Sequence, residues 1–97
     1  MSFRPFAATQ VATEPLVLTL YGRGYCHLCE DMRDALRPLE RDYGCHVRMV
    51  DVDADDALEA RYGEKVPVLA HGETELCHYF LDESAVRGYL RGQMGTP

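Results

Sequence analysis

The sequence predicts a small α/β domain whose elements follow the order β-α-β-α-β-β-α. Short runs rich in Val and Leu have the length and composition of strands, and two other segments carry apolar residues at helical spacing. Glycines and aspartates separate these segments at positions typical of turns and helix caps. With 97 residues, of which 46% are hydrophobic, the chain is long enough for a single domain around one core.

The domain is predicted to begin with a strand, a tight turn and a helix. Residues 16–21 form a continuous apolar run of the kind found in buried parallel strands, and residues 22–25 contain two glycines. From Cys26 or His27 onwards, apolar residues recur at helical spacing and define one face of a helix. This face consists of Leu28, Met32, Leu36, Leu39 and Tyr43.

Pro38 lies within this helical pattern. It is expected to kink the helix or to end its regular part near Arg37, and Gly44 is expected to stop the helix. Residues 47–52 are rich in valine and bounded by turn signals, so they are predicted to form the second strand.

The second half of the chain is predicted to contain a short helix and a hairpin. Asp53 or Asp55 can cap the short helix, which reaches Tyr62. Residues 66–70 and 75–79 read as strands, and the short glycine-containing connection between them favours an antiparallel hairpin.

A final helix completes the predicted domain. Asp82 caps it, and its buried face is predicted to consist of Ala85, Val86, Tyr89 and Leu90. We therefore divide the chain into an extended N-terminal arm at residues 1–15, a domain at residues 16–92 and a tail at residues 93–97.

The charge of the chain bears on its partners and its location. A formal net charge of −6 argues against nucleic acid or an anionic membrane as the main partner, because both require a basic surface. No run approaches the length of a transmembrane helix, and residues 1–14 lack the apolar core of a secretory signal. We therefore expect a cytoplasmic protein, in which a disulfide is usually transient and catalytic rather than structural.

Cys26 and Cys29 stand where the first strand meets the long helix, and a Cys-x-x-Cys pair at such a junction is typical of a redox-active dithiol. Cys26 would lie at the helix N-terminus, where free N–H groups and the helix dipole favour the thiolate that attacks disulfides. Cys29 would be less exposed and would resolve a mixed disulfide formed at Cys26. The alternatives are a buried structural pair or half of a metal site.

Three residues near Cys26 are candidates for tuning the thiolate or binding a substrate. Arg23 is a possible cation for the thiolate or for a substrate carboxylate, or else an ordinary solvated arginine of the turn. His27 would favour the thiolate as an imidazolium and would do little as a neutral side chain. Tyr25 could shield the sulfur from water, offer a hydroxyl group or serve in packing.

Val66 and Pro67 form a second candidate feature. A proline cannot donate to the hydrogen-bond ladder of a sheet, so it belongs at the first residue of a strand or at an edge. The residues alone favour a trans proline at an edge. A cis bond, which X-Pro adopts at low cost, would turn the backbone of Val66 toward an incoming peptide or thiol.

Cys45–His46 and Cys77–His78 are two doublets that raise the alternative of a structural zinc site. Neither doublet has a second ligand at the spacing of a zinc knuckle, so no metal is expected. Cys45 and Cys77 are instead expected to be small, apolar and partly buried side chains. A regulatory disulfide at Cys77 is a further alternative.

Residues 20–29 resemble the opening of glutaredoxins, in which a tyrosine and a basic residue precede Cys-Pro-Tyr-Cys, and residues 66–69 are similar to their cis-proline strand. On these two segments the chain is identified as a member of the thioredoxin superfamily, similar to its small glutaredoxin-like proteins. The resemblance covers residues 16–90. It implies a thioredoxin-like fold with a four-stranded mixed sheet and three helices.

The same resemblance implies roles for the site residues. Cys26 would be the nucleophile, Cys29 the resolving cysteine and Arg23 the basic residue near the thiolate. Pro67 would be cis, and backbone groups of Val66 would pair with the cysteine part of a bound thiol.

The implied activity is that of a thiol–disulfide oxidoreductase in cell redox homeostasis. Its substrates would be protein or low-molecular-weight disulfides, and no cofactor would be tightly bound. Glutathione would be a co-substrate, and glutathione or a thioredoxin-type reductase would supply the electrons.

The chain departs from glutaredoxins at two places. Glutaredoxins usually follow the last strand with Gly-Gly and an aspartate that holds the γ-glutamyl end of glutathione, whereas residues 76–82 end in Asp82 without a glycine pair. The pair His27 and Leu28 also replaces Pro-Tyr between the cysteines.

Two other functions are alternatives to the oxidoreductase. A binding or adaptor module with a thioredoxin fold would have little redox activity. An iron–sulfur carrier would bridge a cluster between two molecules, but glutaredoxins of that kind typically have one active-site cysteine, and this chain has two.

Overall fold

The computed structural model describes residues 16–93, so the predicted arm at residues 1–15 and residues 94–97 of the predicted tail lie outside the described residues. The elements are β1 Val17–Gly22, α1 His27–Tyr43, β2 His46–Asp51, α2 Asp56–Tyr62, β3 Val68–His71, β4 Thr74–His78 and α3 Glu83–Gln93, with a 3₁₀ turn at Val52–Ala54. The predicted order of elements and the thioredoxin-like fold are therefore confirmed. Helix α3 ends at Gln93, one residue beyond the predicted end of the domain.

The four strands form one mixed sheet in the order β2-β1-β3-β4. Strand β1 pairs in parallel with β2 and antiparallel with β3, and β3 and β4 form the predicted antiparallel hairpin. Tyr21 lies opposite Val68, so the end of β1 is beside the start of β3. Because the Cys-x-x-Cys segment follows β1 and Pro67 precedes β3, both segments lie at the same end of the sheet.

The main core lies between the sheet and helices α1 and α3. Leu18, Leu20 and Leu69 of the sheet pack there against the buried residues of the helices, which are Met32, Leu36, Leu39, Val86 and Leu90. A smaller core contains Val52, Tyr62 and Val68. Leu69 belongs to the main core, and the preceding residue Val68 belongs to the smaller core. Because consecutive residues of a strand point to opposite faces of the sheet, the two cores lie on opposite faces.

Ala85, which was predicted to be buried, is exposed, and Leu28 of the predicted apolar face of α1 is only partly covered. In α1 the inward positions are taken by Cys29 and the residues that follow it at helical spacing, so Leu28 lies at the margin of the buried face. In α3 only Val86 and Leu90 are fully buried, and the short side chain of Ala85 faces solvent. The prediction that Ala85 is buried was therefore wrong.

Helix α1 continues through Pro38 and does not end near Arg37. Proline removes one backbone donor from the helix, but Leu36 and Leu39 on either side are buried and hold the segment in place. The helix ends at Gly44, whose left-handed backbone (φ 65°) confirms the predicted stop.

The aspartates predicted to cap helices do so. Asp55 accepts hydrogen bonds from the N–H groups of Ala57 and Leu58 at the start of α2. Asp82 accepts one from the N–H of Ala85 at 3.1 Å at the start of α3. No helix within residues 16–93 is long and apolar enough to cross a membrane.

Candidate active site

Cys26 is the N-cap residue of α1. Its backbone is extended (φ −112°, ψ 107°), and its carbonyl accepts a hydrogen bond from the N–H of Glu30 at 3.1 Å. Its Sγ accepts a hydrogen bond from the N–H of Cys29 at 3.1 Å. The sulfur therefore accepts one free N–H group of the first turn and lies at the positive end of the helix dipole, and both features stabilise a thiolate.

Cys29 lies behind Cys26 in the first turn of α1. The two residues form a disulfide, and their Cα atoms are 5.2 Å apart, within the usual range for such a bond. Cys29 is only 2% exposed, whereas Cys26 is half-buried. The pair therefore combines one accessible and one inaccessible residue.

Gly22, the last residue of β1, lies directly against Cys29. A Cβ atom at Gly22 would stand 2.9 Å from the Sγ of Cys29 and 3.2 Å from its Cβ. Because atoms do not pack that closely, any larger residue at position 22 would displace the sulfur of Cys29. Gly22 and Cys29 belong to different elements, β1 and α1, so the sequence contains no signal of this contact beyond the glycine itself.

Arg23 belongs to an ion-pair network. Its guanidinium donates to the Glu59 carboxylate at 3.0 Å and to the Gly63 carbonyl at 2.9 Å, and it lies 3.3 Å from the carboxylate of Asp53. The side chain thereby joins the turn before Cys26 to α2. Neither the predicted contact with the Cys26 thiolate nor a freely solvated side chain is observed.

Tyr25 and His27 flank Cys26 and are both exposed. Tyr25 is fully exposed and has a left-handed backbone (φ 58°), so it is not a packing residue. His27 is the first residue of α1. Both exposed side chains directly adjoin Cys26 in the chain.

Val66 and Pro67 lie just before β3. Their peptide bond is cis. Pro67 is fully buried and its carbonyl accepts a hydrogen bond from the N–H of Tyr79 at 2.9 Å. Val66 packs against the smaller core. The cis-proline segment and the segment after β4 are thus joined by their backbones.

Tyr79 and Phe80 form an exposed segment that the sequence analysis did not identify. The N–H of Phe80 donates to the carbonyl of His78 at 2.7 Å, and Tyr79 between them has a φ of 66°. This is a γ-turn with positive φ at its centre, a rare conformation. The available signal was Phe80 itself, a large apolar residue between the last strand and the cap of the last helix.

Cys45 and Cys77 lie apart from the disulfide and carry free thiols. Cys45 is buried after α1, and Cys77 is half-buried on β4, in agreement with their predicted role as small packing residues. Burial raises the pKa of both thiols. Among residues 16–93, no three His, Cys, Asp or Glu side chains cluster in a way that could hold a metal ion.

Residues 17–91 match the glutaredoxin-like domain family (DUF836). The chain belongs to this family. The match spans every element from β1 to α3, including the Cys-x-x-Cys pair and the cis-proline segment.

Solved structures are similar to this member of the family. Protein Ne2328 from Nitrosomonas europaea is 35% identical, with a TM-score of 0.71 over 92% of this chain and 98% of that one. A protein from X. campestris is 37% identical, with a TM-score of 0.62 over 82% and 99%. A mutant thioredoxin from Halobacterium salinarum, 22% identical over 100% of this chain and 90% of that one, shares the fold with a TM-score of 0.64. No curated protein matches the chain.

Proposed function

We propose that this protein is a thiol–disulfide oxidoreductase that reduces protein or mixed disulfides with the dithiol of Cys26 and Cys29. The observation that carries the proposal is the environment of Cys26, whose sulfur accepts the N–H of Cys29 at the N-terminus of a 17-residue helix. A buried second thiol directly behind it completes a two-step exchange.

In the first step, the Cys26 thiolate attacks one sulfur of the substrate disulfide. A bond forms between Cys26 Sγ and that sulfur, the substrate S–S bond breaks, and the departing thiolate takes a proton from water. The N–H of Cys29 and the helix dipole stabilise the attacking thiolate before the reaction.

In the second step, Cys29 loses its proton and attacks the Sγ of Cys26. The bond between Cys26 and the substrate breaks, the second substrate thiolate departs, and the Cys26–Cys29 disulfide remains. Two electrons have passed from the protein to the substrate. The 5.2 Å between the two Cα atoms allows this bond to close within the first turn of α1.

Electrons must then return to the oxidised protein. We propose that glutathione or a thioredoxin-type reductase supplies them. The protein would need no tightly bound cofactor for this reaction and would work in the cytoplasm. Equilibration of the Cys26–Cys29 pair against glutathione buffers, followed by thiol trapping and mass spectrometry, measures its reduction potential. We expect a reversible two-electron couple between about −180 and −270 mV.

The decisive test separates the two cysteines. With a labelled disulfide substrate, the Cys29→Ser variant should accumulate a mixed disulfide at Cys26, because the resolving thiol is missing. The Cys26→Ser variant should form no mixed disulfide. Non-reducing electrophoresis and mass spectrometry identify the linked residue.

The Cys77→Ser variant is the matched control, because it removes a half-buried thiol and leaves the pair intact. It should turn over substrate as the unmodified protein does. Mixed disulfides at Cys77, or equal activity in all three variants, would contradict the proposal. If no disulfide forms between Cys26 and Cys29 in any buffer, the adaptor module becomes the better account.

A further inference from the structure

An apolar groove of about 280 Å³ opens between the first turns of α1 and the segment after β4. Its apolar lining consists of Leu28, Met32, Ala35, Tyr79, Phe80 and Leu81. Leu28 stands between the two cysteines, and the N–H of Tyr79 is bonded to the carbonyl of Pro67. The groove therefore lies beside the proposed reaction site.

Phe80 lies at the outer wall of the groove, and 69% of the surface of this residue is exposed. The γ-turn at Tyr79 holds it there, and the hydroxyl of Tyr79 donates to the carbonyl of Glu64 at 3.0 Å. A bulky residue with positive φ persists only where its surroundings hold it. Contiguous exposed apolar side chains in such a position indicate an interaction surface.

The charge at the groove favours a basic or neutral ligand. Asp31 lies in the lining, and Asp82, directly after Leu81, is exposed. An anionic ligand would be repelled by these carboxylates, whereas a lysine or arginine beside an apolar side chain would be attracted.

The two cations nearest the site in sequence are already paired. Arg23 is held by Asp53 and Glu59 at 3.3 and 3.0 Å. The Nζ of Lys65, just before the cis-proline segment, lies 3.0 and 3.2 Å from the two carboxylate oxygens of Glu75. The carboxylates of glutathione would have to compete with these partners.

We propose that the groove binds an extended segment of a protein substrate that carries a large apolar residue and a basic residue beside its disulfide cysteine. The apolar side chain occupies the space between Leu28 and Phe80, and the basic side chain approaches Asp31. The disulfide is thereby presented to Cys26 in preference to that of glutathione. This inference rests on the proposed function and names its substrate class.

Single-turnover oxidation of the reduced full chain tests the inference without an electron donor. Two peptides are compared as mixed disulfides with 2-mercaptoethanol, one with Lys and Phe before its cysteine and one with Glu and Ser. Glutathione disulfide and bis(2-hydroxyethyl) disulfide complete the series. Acid quenching, alkylation and mass spectrometry measure the rate at which the Cys26–Cys29 disulfide forms.

The Lys-Phe peptide should react about tenfold faster than the Glu-Ser peptide and than glutathione disulfide, since partial burial of one aromatic side chain is worth about that factor. In the Phe80→Ser variant, the ratio between the two peptides should fall to about one-fifth of its original value or less. Asp31→Asn should reduce the ratio by about threefold, because it removes one exposed charge.

Met49→Ser is the matched control. Met49 is 44% exposed and lies on β2, at the opposite edge of the sheet from β4. This variant should keep the full preference for the Lys-Phe peptide. Circular dichroism checks that all variants are folded.

Equal rates for the two peptides, or an equal loss of preference in Phe80→Ser and Met49→Ser, overturn the groove proposal. The proposed function survives that result if bis(2-hydroxyethyl) disulfide still oxidises the Cys26–Cys29 pair. If none of the four disulfides oxidises the pair, the proposed function itself is overturned.

Discussion

Cys26 and Cys45 stand at opposite ends of the same helix and in opposite environments. At the N-terminus of α1, the Sγ of Cys26 accepts a backbone N–H at 3.1 Å and is half-buried. Beyond the C-terminus, the Sγ of Cys45 is buried and lies 3.8 Å from the carbonyl of Leu39, toward which its S–H is directed. N–H groups stabilise a thiolate, whereas carbonyl groups and burial stabilise the thiol. The two cysteines therefore have the same residue type but opposite environments, set by the end of the helix at which each lies.

Removing the sulfur of Cys26 or of Cys45 should give the largest difference in activity. Cys26→Ala should reduce single-turnover disulfide reduction to the background rate, because the attacking thiolate is lost. Cys45→Ala should keep the activity and lower the free energy of unfolding by about 1 kcal/mol through the small cavity it leaves. Urea unfolding and thiol trapping measure the two effects. Comparable loss of activity in both variants would contradict the different roles of the two thiols.

The second-largest difference is expected in the pH dependence of alkylation, between Cys26 and the thiols of Cys45 and Cys77. Burial raises the pKa of the thiols of Cys45 and Cys77, so their thiolate fractions rise only at higher pH than that of a free thiol. In the reduced protein, iodoacetamide should therefore modify Cys26 at neutral pH at least about tenfold faster than Cys77. Mass spectrometry of each labelled cysteine between pH 6 and 9.5 follows the rates. Equal rates at neutral pH would show that the helix N-terminus has no effect on the sulfur.

The packing behind Cys29 should be sensitive to a single methyl group. Gly22→Ala places a Cβ 2.9 Å from the Sγ of Cys29, so it should destabilise the protein by about 1–3 kcal/mol. Gly24→Ala is the matched control, because its Cβ would meet nothing within 4 Å. It should change the free energy of unfolding by less than about 0.5 kcal/mol. Equal effects of the two substitutions in thermal unfolding would contradict the close approach.

The smallest effect is expected from Arg23. Arg23→Gln should lower the free energy of unfolding by about 1 kcal/mol, since it removes a partly exposed ion-pair network. The pH profile of Cys26 alkylation should stay the same, because no contact between Arg23 and the sulfur is observed. Arg37→Gln, which removes an exposed pair with Asp34, should have a smaller effect. A Cys26 profile displaced to higher pH in Arg23→Gln would restore the role that the resemblance implied for Arg23.

Features that depend on short stretches of sequence could be predicted. The apolar stripe of α1, the caps at Asp55 and Asp82 and the stop at Gly44 arise from interactions within a few residues of one another. The position of Cys26 at the start of α1 follows from the same kind of pattern. These local rules are sufficient to place the dithiol at the N-terminus of a helix.

Features that depend on distant residues could not be predicted. Arg23 pairs with Glu59, which lies 36 positions away. Whether the Arg23 side chain contacts the sulfur, solvent or a carboxylate depends on where α2 packs. Leu28 fits the helical period but lies at the margin of the buried face, because Cys29 takes the inward position. The outward position of Phe80 depends on the backbone of the γ-turn, for which short motifs give no signal.

The length of α1 has a consequence for how the cysteines can pair. With 17 residues, the helix separates Cys26 from Cys45 by about 25 Å at 1.5 Å per residue. A disulfide requires Cα atoms within about 7 Å of each other. As long as the helix is intact, these two thiols of one molecule are kept from scrambling, and a wrong pairing between them requires the helix to unfold first.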